Sequence, residues 1–293
     1  MIKAKTHSIF IAITTFGLMF FNTIAISDSQ VGNSVPEILN SDLCKDNPVV
    51  VEEKTYQDYQ VKISSAGDGD CHLLDIERQG KVLYHDEEIG GHFYFGADFE
   101  KGVDPFVRLT GQNDPNLVFS KWTGGAHCCF SLHVFELDKD LREIANVDGG
   151  NFYPVLEDID HDGIAEIRVT DDALAYLFSS FASSAAGDVV LKYSNHEYRV
   201  AAEYMVKTAP ELDIFNKKIK TWRKMLRKHA PDWPPPSLIQ TVTDLFYTGN
   251  ARAAFALVDR TWPSDVAGKE DFLKAYEEVL EKSRYYQEFQ KQI

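Results

Sequence analysis

From Val49 to Val200 the chain runs in short apolar or alternating segments, each stopped by Gly, Asp or Asn, and this punctuation constrains the fold more than any other feature. Tyr59-Gln60-Val61-Lys62-Ile63, Val82-Leu83-Tyr84, Leu132-His133-Val134-Phe135 and Val189-Val190-Leu191 are examples. Side chains two residues apart share one face of a strand, so such runs predict strands joined by tight turns. The expected fold class is mainly β, antiparallel, over residues 28–200.

Two stretches inside this body look like copies of one pattern. Arg108 to Phe119 aligns with Asp158 to Val169 at a spacing of 50 residues, and in each a polar loop runs into an apolar strand. A period of that length suits a propeller blade or a similar β unit, so the expected architecture is propeller-blade-like repeats, with an incomplete propeller as one form. After Val200 the pattern changes. Thr208-Ala209-Pro210-Glu211 reads as a capping box opening a helix to about Lys228, with Leu212, Phe215, Ile219, Trp222 and Leu226 on one face. Pro231 to Pro236 forms a stiff break. Further helices are expected from Ser237 to Tyr247, Asn250 to Thr261 and Lys269 to Gln290, the last broken near Ser283. The predicted division is a basic helix and Pro-rich linker at 201–236 and a small α-helical domain at 237–293.

The first residues carry Lys3 and Lys5, then an apolar run from about Ser8 to Phe21, then Ala25-Ile26-Ser27. That order predicts a cleaved secretory signal peptide over 1–27 and a periplasmic or secreted mature protein without a transmembrane segment. Removing 1–27 takes away two lysines and no acid, so the net charge moves from −15 to −17. A chain this acidic repels nucleic acid on average and favours cation binding. The cysteines, Cys44, Cys71, Cys128 and Cys129, would meet an oxidising compartment after export, where disulfides are the expected state.

In Asp158-x-Asp160-x-Asp162-Gly163-x-x-Glu166 alternate residues of a tight loop project carboxylates toward one point, Gly163 permits the turn, and Ile164 can offer its carbonyl. Hard oxygen ligands in that number suit Ca²⁺. An EF-hand needs a bidentate Glu at the twelfth position, where this chain has Val169, and helices where this chain has strands. The pattern instead resembles the short loop of the integrin-type propeller family, the FG-GAP and VCBS repeats, in which an acid at the ninth position closes the site. The resemblance implies Asp158, Asp160, Asp162, the Ile164 carbonyl and Glu166 as ligands of a structural calcium ion. The earlier copy departs from it, with Arg108 and Thr110 where the first two acids belong.

Trp122-Thr123-Gly124-Gly125-Ala126-His127-Cys128-Cys129-Phe130 is the other distinctive segment. Together with the acidic loop and the helical tail it resembles uncharacterised exported bacterial proteins that carry a Gly-Gly-Ala-His-Cys-Cys motif, which implies a location and a fold but no activity. Adjacent cysteines point to opposite sides of a regular strand, so they either take different partners or form a vicinal disulfide in a turn that Gly124 and Gly125 make accessible. The favoured pairing is Cys44–Cys71 with Cys128–Cys129; cross-pairing is the alternative. The same residues could instead supply a Cys nucleophile beside His127, or, with His133, bind Zn²⁺ or Cu⁺. No nucleophile elbow, zinc-protease helix motif or phosphate loop is present. The expected function is an exported, calcium-binding, non-catalytic binding or assembly protein of the cell envelope with a protein or glycan partner. Its alternative is an extracellular hydrolase or metal-handling protein. The basic helix 216–228 offers a second, weak surface contact.

Overall fold

Every strand is antiparallel to its neighbours, and the strands form three successive meanders. The computed structural model describes residues 44–97, 103–126, 128–138, 140–229 and 233–293; the leader expected at 1–27 and its cleavage point lie outside them. The first sheet is β1 (Val49–Tyr56), β2 (Tyr59–Ala66), β3 (Cys71–Arg78) and β4 (Lys81–Ile89), in that order. The second contains β5 (His92–Phe95), β6 (Phe106–Val107), β7 (Asn116–Gly125), β8 (Cys128–Leu137) and β9 (Leu141–Gly150), ordered β5-β7-β8-β9 with β6 also on β7. The third is β10 (Val155–Glu157), β11 (Glu166–Asp171), β12 (Gly187–Ser194) and β13 (Glu197–Val200). Gln79-Gly80 and Asn195-His196 have positive φ at both turn positions, as the turns that match strand twist require.

The period-two pattern decides how the sheets stack. On the second sheet Leu117, Phe119, Phe135 and Leu137 face one way, into a core shared with Tyr59, Val61, Ile63, Leu74 and Ile76 of the first sheet. Val118, Leu132 and Val134 face the other way, into a core shared with Ile167, Val169 and Leu191 of the third. No closed propeller is formed among the described residues; helices cover the third sheet instead.

Those helices are α1 (Ala202–Met205), α2 (Asn216–His229), α3 (Pro236–Tyr247), α4 (Ala251–Thr261), α5 (Lys269–Leu280) and α6 (Arg284–Gln290). Ile219, Trp222 and Leu226 of α2 are buried, as their spacing predicts. Pro236 occupies the first turn of α3, where its missing N–H costs nothing, and Ser283 caps α6 by accepting from the Tyr286 N–H at 3.1 Å. The expected capping box at Thr208 is not made. Residues 207–211 belong to neither helix nor strand: Lys207 N–H is taken by the Thr248 carbonyl at 3.1 Å and its own carbonyl by Asn250 Nδ2 at 3.0 Å, so regular helix begins only after the 3₁₀ turn Leu212–Phe215.

Leu238, Val242, Leu245 and Phe246 share one buried cluster with Ile167, Val169 and Val189. The change at about residue 200 is therefore a change of secondary structure within one compact unit and one core, where the sequence suggested a separate helical domain. Asp171 ties the layers together: its Oδ2 accepts from the Tyr247 hydroxyl at 2.6 Å and from the Ser283 hydroxyl, and its Oδ1 accepts from Ala173 N–H at 3.1 Å.

Candidate metal centre

The acidic loop joins β10 to β11, and Glu157 pairs with Glu166 across its base. Its backbone is shaped by its own carboxylates. Asp158 Oδ1 accepts from Asp162 N–H and Oδ2 from Gly163 N–H, both at 3.1 Å, while Asp162 Oδ1 accepts from Ile164 N–H at 2.8 Å. Gly163 has φ +86°, a conformation glycine adopts without the steric cost that a Cβ brings.

This shape brings oxygens of Asp158, Asp160 and Glu166 within 4.8 Å of one another. Asp160 is exposed, Asp158 half-buried and Glu166 fully buried. Asp162 is outside this close group, its Oδ1 turned to the loop's own backbone. Glu166 Oε2 accepts from Ile159 N–H at 2.9 Å, whereas its buried Oε1 has no hydrogen-bond partner. A buried carboxylate oxygen without a donor is costly unless a cation faces it. The donor set, all hard oxygen with one orphaned buried atom, fits a divalent cation of the Ca²⁺ type.

The residue that sequence reasoning missed is Lys192. Its ammonium lies 2.8 Å from Asp160 Oδ2, 3.6 Å from Glu166 Oε1 and 3.7 Å from Asp162 Oδ2. Tyr204, on α1, accepts from Lys192 at 2.5 Å and donates to Asp160 Oδ2. Hydrogen bonds from Lys192 and then Tyr204 hold the Asp160 carboxyl down to about 2. The reciprocal bond from Asp160, with that from Tyr204, pushes the Lys192 ammonium up. The signal was present only as a lysine in the apolar run of β12, because its reach to the loop depends on strand register.

The earlier copy has the same frame without the acids. Asn116 heads β7 as Glu166 heads β11, and its Oδ1 accepts from Leu109 N–H at 3.1 Å, the counterpart of the Ile159–Glu166 bond. Thr110, at the position of Asp160, donates to the same Asn116 oxygen at 3.2 Å. The buried Asn116 oxygen is thus satisfied by donors of its own loop, with no orphaned atom like Glu166 Oε1. A Cβ on Gly111 would lie 3.2 Å from Ile164 Cδ1, so the two loops are neighbours.

The Gly-Gly-Ala-His-Cys-Cys segment forms the β7–β8 hairpin, with Gly125 paired to Cys128. Gly124 is required: φ is +83°, and a Cβ there would meet the Gly90 carbonyl oxygen at 2.0 Å. His127 and the side chain of Cys128 lie outside the described residues. Cys129 is in a disulfide, Cys44 is joined to Cys71, and no described cysteine is free to serve as a nucleophile. His133 is four residues beyond Cys129 along a strand, roughly 13 Å at 3.3 Å per residue. It is buried on Phe119 and engaged by Glu143 at 2.7 Å, so it does not join the cysteines in a ligand set.

The basic face of α2 is exposed; Arg227 pairs with Asp265 at 3.1 Å and Arg223 donates to the Arg260 carbonyl at 2.8 Å. Among the described residues no helix is long and apolar enough to cross a membrane.

No family model matches the chain, and no solved structure matches it significantly. It is 32% identical to a probable thylakoid lumen protein of Synechocystis sp., over a 116-residue alignment that takes in 33% of this chain and 34% of that protein. It is 28% identical over 138 residues to an uncharacterised protein of Sinorhizobium fredii, covering 45% of this chain and 21% of that one. The chain thus spans about a third or less of the length of these curated relatives.

Proposed function

We propose that the chain is an exported, calcium-stabilised binding or assembly protein of the cell envelope, in which Ca²⁺ fixes the Asp158–Glu166 loop. The observation that carries this reading is the buried Oε1 of Glu166, which has no hydrogen-bond partner and only the Lys192 ammonium at 3.6 Å, converging with Asp158 and Asp160. Asp158, Asp160 and Glu166 would hold the ion, with Asp162 and the Ile164 carbonyl completing the set that the integrin-type loop implies. The matching frames around Asn116 and Glu166 support the blade-like repeat, and the three meanders then read as an incomplete propeller closed off by helices. Export is supported by the Cys44–Cys71 disulfide, by the leader pattern and by the partial similarity to a probable thylakoid lumen protein. A protein or glycan partner would engage loops of the β body, and the exposed basic face of α2 is a second surface for an acidic partner.

Calorimetric titration and thermal melts decide it. A single Ca²⁺ site is expected, with stabilisation of about 2.7 kcal/mol at free calcium 100 times the Kd. Glu166→Gln should abolish both. A melting curve unmoved by EDTA and by Ca²⁺ would remove the reading.

A further inference from the structure

The frame that the two loops share places different charges on the strand beside them. In the second sheet Glu136 stands opposite Asn116 in the β7–β8 ladder. In the third sheet Ile167 pairs with Leu191, so the next step of the ladder sets Lys192 beside Glu166. The copy that lacks acids at the aligned positions, with Arg108, Thr110, Gln112 and Asn116 there, thus has an acid on the neighbouring strand, satisfied by Tyr193 and Arg142. The copy with an acidic loop has a base there, and it points into the acids.

Resting on the calcium reading, we propose that Lys192 is a tethered cation that holds the acidic loop when metal is absent and is displaced when Ca²⁺ enters, making it the residue that sets the loop's calcium affinity. Three observations carry this. The ammonium is within 4.0 Å of Asp160, Asp162 and Glu166, three of the four carboxylates that would serve the ion. The lysine is aimed by the Tyr204 hydroxyl, which bridges it to Asp160, so its position is built. The oxygen it faces most deeply, Glu166 Oε1, is left at 3.6 Å without a hydrogen bond, so the ammonium compensates that charge only incompletely and leaves it for a cation that can come closer. Two like charges cannot share so small a ring of acids without strong repulsion, and metal entry must therefore move Lys192 outward. Such an exchange keeps the loop ordered in both states and keeps its affinity low, so that the protein would sense calcium as well as be stabilised by it.

The test uses the full mature chain. Calorimetric titration with CaCl₂ should show Lys192→Met binding at least 10-fold more tightly than the unchanged protein, with Glu166→Gln binding nothing. Equal or weaker binding by Lys192→Met, with binding by the unchanged protein, would overturn the tethered cation and leave the calcium reading standing. If neither chain binds Ca²⁺, the calcium reading fails and this inference falls with it. Should Lys192→Met not fold, the unchanged protein still decides. Acetylation of Lys192 by N-hydroxysuccinimide acetate, followed by peptide mapping, should be at least 5-fold faster in saturating Ca²⁺ than in EDTA, with Lys81 and Lys282 as references. An unchanged or slower rate would overturn the proposal.

Discussion

Asn116 and Glu166 occupy the same place in two loops, yet one completes its own hydrogen bonding and the other does not. Asn116 is 2% exposed and serves two donors, Leu109 N–H and the Thr110 hydroxyl. Asn116→Ala should therefore cost about 1–3 kcal/mol, since it strands buried donors, and added calcium should not restore it. Urea unfolding with and without Ca²⁺ reads both. His72 is a second residue whose surroundings make a prediction. Its Nε2 faces His92 Nδ1 at 3.1 Å, and burial, followed by the charge of His92, holds it below the ordinary 6.5. The unfolded chain then binds the proton more readily than the folded one. Stability is full above about 6.5 and falls as pH drops through the window between 6.5 and the lower folded value. Urea midpoints at pH 7.5 and 5.0 should fall less in His72→Gln than in the unchanged protein. An equal fall would assign the effect to other groups.

At the scale of elements, what could be read in the sequence was whatever local chemistry settles. Alternation gave the strands, acids at two-residue spacing gave the loop, and Ser283 marked the break between α5 and α6 because its side chain caps the next helix. The capping box at Thr208 misled because the Lys207 backbone is claimed by Thr248 and Asn250, forty residues along the chain. Lys192 was hidden for the same kind of reason: its partner Asp160 is 32 residues away and is reached only through the β11–β12 register. The glycines of the cysteine hairpin were read as flexible turn formers, but at Gly124 the stronger demand is space. The β4–β5 turn approaches so closely that a Cβ would overlap the Gly90 carbonyl, at a φ that L-residues rarely adopt. Gly124→Ala should cost about 1–3 kcal/mol through overpacking, with further strain from φ. Gly80→Ala is the control, because only backbone strain acts where nothing lies within 4 Å. A smaller loss at Gly124 than at Gly80 in thermal melts would refute the steric account.

The molecule as a whole is held by contacts that no local pattern announces. Helix α3 is buried on most of its circumference because it lies between the third sheet and the other helices, so its apolar residues read as an ordinary helix while belonging to the sheet's core. Asp171, at the end of β11, receives hydroxyls from α3 and from the cap of α6, separated from it by 76 and 112 residues. If one core unites these layers, the slowest-exchanging amides of β11, β12 and α3 should open with one free energy in hydrogen-exchange mass spectrometry. Asp171→Ala removes the acceptor of two buried hydroxyls and should lower that free energy by about 1–3 kcal/mol, the cost of leaving a buried donor unsatisfied. The loss should be equal in the strands and in the helix. A drop confined to α3 and α6, with β11 and β12 unchanged, would mean that the helices form a unit that opens by itself, and the shared core would then be a contact between two cooperative units.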